Sequence, residues 1–155
     1  MQVTLFISAV TNKVWNVALL VSYCGFIVYI TLMYRTKRVS NTNFDLFETY
    51  KQLFIDAEKR SSILRNVWLF IPLGAILFKL YPSKTILIIP VLFSIIIEGY
   101  QYYSGTGLCE LADVIDNGLG AIIGYCTGKL ISGIRQNLIL FYKKQKNQTN
   151  KIGQC

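Results

Sequence analysis

Two carboxylates and three carboxamides define the chemistry this 155-residue chain can offer. Glu98 and Gln101 are three residues apart, and Asp113 and Asn117 are four apart. Each pair shares a face if its segment is helical. Asn66 is the fifth group. Carboxylates and amides gathered in one place suit hydrogen bonding to sugars or peptides. Two carboxylates whose proton affinities are driven apart by burial can also divide general-acid and general-base work. Carboxylates with amides could hold a divalent cation. The chain has no histidine, which removes His-based acid–base catalysis and His-metal sites. Cys24, Cys109, Cys126 and Cys155 show no C-x-x-C spacing, and no nucleophile–base pair is recognisable. No metal and no other cofactor is expected.

The elements that must position these groups are membrane helices. Only 15% of the residues are charged, against about 25% for a soluble domain. A soluble fold of this size has a large surface to cover with polar groups. The apolar fraction of 53% also excludes disorder. A net charge of +8 would ordinarily suggest nucleic acid, but the cations flank apolar stretches, so no nucleic-acid partner is expected.

Residues 14–34 carry no charge and are bounded by Lys13 and Arg35. That length matches the roughly 20 helical residues that cross a hydrocarbon core of about 30 Å. No A-x-A-type site follows, so the stretch reads as a span rather than a cleaved signal. A second span is predicted over 66–81, with Lys79 snorkelling and Pro72 inside it. A third covers 85–103, where Glu98 is the one charge, and Ser104-Gly105-Thr106-Gly107 breaks it. A fourth is predicted over 114–134. The pattern predicts an all-α, polytopic membrane helix bundle with about four transmembrane helices, a single domain over residues 1–142. A basic, disordered tail is expected over 143–155. The connecting segment 44–64 alternates apolar and charged residues at helical spacing, as an interfacial or folded-back helix would.

Alternating helix direction sets Asn66, Glu98, Gln101, Asp113 and Asn117 at one depth, opposite the termini. Nine cations fall on the side of the termini and seven on the other, which favours both termini in the cytoplasm. Acidic groups inside a membrane are costly and are functional candidates by default. Each also has a plainer role. Asp113 could cap a helix starting at Val114, with Asp116 favouring the same helix end. Glu98 could pair with Arg60 or Arg65. Asn117 could bond to a neighbouring helix. Gly120, Gly124 and Gly128 recur every four residues, with Asn117 on the same stripe. They predict close helix packing, with Gly74 doing the same on the second span.

Asn66-Val-Trp-Leu-Phe70-Ile-Pro72-Leu-Gly74 resembles the N-x-x-x-F-x-P-x-G segment of the VanZ-like family. Glu98-Gly-Tyr-Gln101 resembles its E-x-x-Q. The run from Asp113 through Asn117 and Gly120 to Gly124 resembles its D-x-x-x-N-x-x-G-x-x-x-G. Phe44-Asp-Leu-Phe47 echoes the N-L-x-P-F segment without its proline, and Gly107 stands near the place where many members carry an arginine. The resemblance covers residues 44–128. It implies a small bacterial integral membrane protein of the cell envelope, in a family whose name-giving member is associated with teicoplanin resistance. The expectation is a non-enzymatic protein that binds a lipid-linked cell-wall intermediate, a glycopeptide or a partner protein, in contact with membrane lipid and able to self-associate. Two alternatives are an intramembrane enzyme acting on an envelope lipid or glycan, and a small oligomeric transporter or channel.

Overall fold

Most helix ends coincide with a local stop or start signal in the sequence. The computed structural model describes residues 2–33, 41–43, 45–105 and 108–152, with side chains over 13–32, 45–105 and 109–145. Phe44, Gly107, Arg35, Lys37, Arg38 and residues 153–155 lie outside these, as do the side chains of Lys146 and Lys151. Helix α1 spans Gln2–Met33. Helix α2, Leu46–Gln52, starts where Asp45 accepts from the Glu48 N–H at 3.0 Å. Helix α3, Ala57–Leu80, starts where Asp56 accepts from the Glu58 N–H at 2.8 Å. It stops at Tyr81, the residue before Pro82, where the following ring disfavours helical backbone. A 3₁₀ turn at Lys84–Leu87 leads into α4, Ile88–Ser104. Gly105, at φ +64°, ends α4 in the left-handed conformation that glycine adopts without a Cβ clash. Helix α5 runs over Leu111–Ile152 with Asp113 in its first turn.

Two short strands join the loops at one end of the bundle. Strand β1, Asn41–Asn43, pairs in parallel with β2, Leu108–Glu110, with Thr42 opposite Cys109. Helices α1 and α4 run toward this end, and α3 and α5 run away from it. The apolar core sits between the four long helices and contains Ile27, Phe70, Leu73, Leu77, Ile97 and Ala121. Phe78 meets Tyr125 edge-on at 5.1 Å between ring centroids. Pro72 withdraws the N–H that would serve the Trp68 carbonyl. At the adjacent carbonyl, Leu69, the Tyr23 hydroxyl of α1 donates at 2.9 Å.

The α3–α5 contact is made backbone to backbone. A Cβ at Gly120 would strike the Val67 carbonyl, one at Gly124 the Ile71 carbonyl, and one at Gly74 the Ala121 backbone. At Gly128 the neighbour is softer, the Phe78 ring at 3.0 Å.

Three helices are long and apolar enough to cross a membrane: Lys13–Leu32, Ala57–Leu80 and Lys84–Ser104. Large apolar side chains such as Trp15, Phe26, Trp68 and Ile96 face outward, as a bilayer solvent requires. The structure is thus an all-α membrane bundle. Several expectations are corrected. The second span begins at Ala57, not at residue 66, because Asp56 caps it and Arg60 and Arg65 stand on its exposed side. The connecting segment 44–64 is therefore not one helix: it breaks after Gln52, and its last third belongs to α3. Asn66 does not open a helix but lies in the third turn of α3. Asp113 is not the cap of α5, which starts two residues earlier at Leu111. The stretch 143–152, expected as a disordered tail, continues α5, with no glycine or proline between Gly133 and Gly153 to stop it. Helix α5 is absent from the three apolar helices, since Asp113, Asp116 and Asn117 fall in its first two turns.

Candidate functional site

The end of the bundle nearest the strands is polar inside and apolar outside. Buried there are Glu98 and Gln101 from α4, Asp113, Asp116 and Asn117 from α5, Asn66 from α3 and Glu110 from β2. The five residues singled out from the sequence are all among them. Helix α4 supplies two because Glu98 and Gln101 share its inner face with Ser94, one turn before. Helix α5 supplies three from two adjacent turns. Asn66 reaches this level because α3 and α5 are locked in register. Gly120 lies on Val67 and Gly124 on Ile71, so Asn66 is within about one turn of Asp116 and Asn117 along the axis.

The contacts cross between elements. Asn117 Nδ2 donates to Ser94 Oγ at 2.8 Å, joining α5 to α4. The Glu110 backbone N–H donates to Glu98 Oε2 at 3.2 Å, fixing β2 to α4. Gln101 Nε2 donates to the Thr31 carbonyl at 3.3 Å, reaching the end of α1. The Tyr50 hydroxyl of α2 donates to Asp116 Oδ1 at 2.9 Å. Lys59, at the start of α3, forms an ion pair with Glu110. Burial raises the Tyr50 phenol above its ordinary range, and the hydrogen bond to Asp116 and the charges of Asp116 and Asp113 push it further. The Cys109 thiol is raised as well, first by burial and then by Glu98 and Asp113.

Three buried polar atoms have no hydrogen-bond partner among the described residues: Asn66 Nδ2, Asp116 Oδ2 and Asn117 Oδ1. Their residues are 9%, 1% and 4% exposed, so bulk water does not reach them freely. Buried polar groups are nearly always satisfied, and each exception calls for an occupant or an explanation. The set offers one donor and two acceptors, one of them on a carboxylate. Among the described residues, no group of three His, Cys, Asp or Glu side chains comes together as a metal site.

Reading the sequence by motif missed Tyr50, Lys59, Ser94 and Glu110, and took Asp116 only as a helix-end charge. Ser94 was findable, since it stands four residues before Glu98 on the same face. Tyr50 was not, because 66 residues separate it from Asp116.

A family model for VanZ/LLP1 matches residues 17–132. The chain belongs to the VanZ/LLP1 family. The matched region takes in the greater part of α1, all of α2, α3 and α4 and the first half of α5, and so contains every residue of the polar cluster. No curated protein and no solved structure matches the chain. With its three apolar helices, this VanZ/LLP1 chain is a membrane protein of the VanZ type.

Proposed function

We propose that this VanZ/LLP1 protein acts in the bacterial cell envelope without catalysing a reaction. Its polar cluster binds a lipid-linked cell-wall intermediate or a glycopeptide, and thereby contributes to resistance of the teicoplanin type. The observation that supports this reading is the trio of unpartnered atoms on Asn66, Asp116 and Asn117. An unmade buried hydrogen bond costs about 1–3 kcal/mol per group. A ligand carrying both donors and acceptors, such as a sugar hydroxyl array or a peptide amide, recovers that loss on binding. Changing Asn117→Ala and Glu98→Gln at matched protein levels should raise teicoplanin susceptibility. Unchanged susceptibility in both variants would sink the proposal.

In this reading α5 makes a fourth crossing, and both termini lie in the cytoplasm with the cluster facing out. Its first turns are polar only toward the bundle. Ile115, Leu119, Ile122 and Ile123 are exposed on its other side, as a lipid-facing surface would be. Cys109, between α4 and α5, should then react with a membrane-impermeant maleimide in intact cells. Labelling only after permeabilisation would reverse the orientation.

A further inference from the structure

Past Gly128 the close contact with α3 ends and α5 runs on alone. From Lys129 to Gln145 every side chain is exposed except the half-buried Ser132. Leu130, Ile131, Ile134, Leu138, Phe141 and Tyr142 repeat at helical spacing along one face. Lys129, Gln136 and Lys143 stand opposite, while Ile139 and Leu140 depart from the pattern. No Asp or Glu follows Asp116 in the sequence, whereas Lys129, Arg135, Lys143, Lys144, Lys146 and Lys151 do.

The geometry poses a problem that charge resolves. A 42-residue helix is about 63 Å long, twice the hydrocarbon thickness of about 30 Å. A straight α5 would leave its last apolar residues standing in water. Gly133 has nothing within 4 Å, so no close approach explains it, and it follows Ser132. Gly/Ser pairs are where helices bend sharply.

We infer that the part of α5 beyond Ser132-Gly133 docks on an anionic bilayer surface. It lies flat, with Ile134, Leu138 and Phe141 in the acyl boundary and the basic residues at lipid phosphates. A second copy fits the same apolar row poorly, because two such segments, each without an acid, repel. The stretch from residue 133 onward lies outside the family match, so this docking is independent of how the polar cluster is used.

The test uses the full chain with its four native cysteines changed to serine. Single cysteines replace Ile134, Leu138, Phe141, Gln136 and Lys143 in turn and carry a nitroxide. Accessibility to oxygen and to a water-soluble nickel complex is read in phosphatidylcholine vesicles with and without phosphatidylglycerol. With the anionic lipid, labels at 134, 138 and 141 should favour oxygen and labels at 136 and 143 should favour nickel. Without it, or with Lys143→Glu and Lys144→Glu together, that contrast should shrink several-fold. An equal response at all five sites overturns the docking. An equal contrast with and without phosphatidylglycerol overturns the role of charge. Dipolar broadening between labels would make a second copy the occupant, and overturns it too.

Discussion

The Val67 carbonyl oxygen occupies the space that a Cβ on Gly120 would need. Helices α3 and α5 therefore touch through their backbones at this level, one turn from Asn66 and Asn117. In a bilayer, lipid tails compete with apolar side chains on nearly equal terms. Close backbone approach between small residues is one of the few gains left to hold helices together.

Gly120→Ala and Gly124→Ala should each destabilise the protein. Overpacking costs about 1–3 kcal/mol, and a backbone carbonyl cannot rotate away as a side chain can. The helix-propensity gain of about 1 kcal/mol only partly offsets it. Gly99→Ala, with nothing within 4 Å, should be neutral or stabilising. Thermal unfolding in detergent, followed by loss of helicity, separates the two classes. Equal midpoints for Gly120→Ala and the natural chain would contradict the contact.

Ser94 and Asn117 should be energetically coupled. Measured hydrogen bonds between membrane helices average about 0.6 kcal/mol and reach about 1.7. A double-mutant cycle with Ser94→Ala and Asn117→Ala should fall in that range. A coupling indistinguishable from zero would mean that the 2.8 Å contact contributes nothing to stability.

Tyr50→Phe removes the hydrogen bond to a buried carboxylate and should cost about 1.5–3 kcal/mol. The natural protein should also be sensitive to alkali. The phenol ionises at about pH 10 in the unfolded chain and higher in the folded one. Below that pH both states are neutral and nothing is lost. Above it the unfolded state gains by ionising, so stability falls as pH rises. Chemical denaturation across pH 9 to 11 (roughly one unit either side of the unfolded value) should show this slope, and Tyr50→Phe should flatten it.

Cys109 should alkylate more slowly than a free thiol at any given pH below its raised pKa, since less of it is thiolate. Neutralising Glu98 as Glu98→Gln removes one of the charges holding the proton on. The rate at fixed neutral pH should then increase, with no change in the limiting rate at high pH. Identical pH–rate profiles for the two proteins would show that the charge of Glu98 does not reach the thiol.

The spans at residues 14–34 and 85–103 were legible because charge is absent over the length a bilayer demands, and α1 and α4 match them within a residue or two in their apolar parts. The start of α3 was not. Lys59, Arg60 and Arg65 interrupt the uncharged block, and only the folded chain shows that Lys59 is absorbed by Glu110. The acid and amide residues of α4 and α5 were visible as spacing within one helix. Pairings between elements left no such trace: nothing local links Tyr50 to Asp116. The short strands were invisible for a related reason. Asn-Thr-Asn and Leu-Cys-Glu carry no alternation long enough to mark a strand, and they pair because the helices bring two loops side by side.

That pairing of Asn41–Asn43 with Leu108–Glu110 has a bearing on traffic. It stitches together the two loops at the mouth of the bundle, and Glu110 is simultaneously held by Lys59 and, through its N–H, by Glu98. A molecule arriving along the bundle axis must first unpick this seam. One already dissolved in the lipid can slide in sideways between helices and leave the stitching intact.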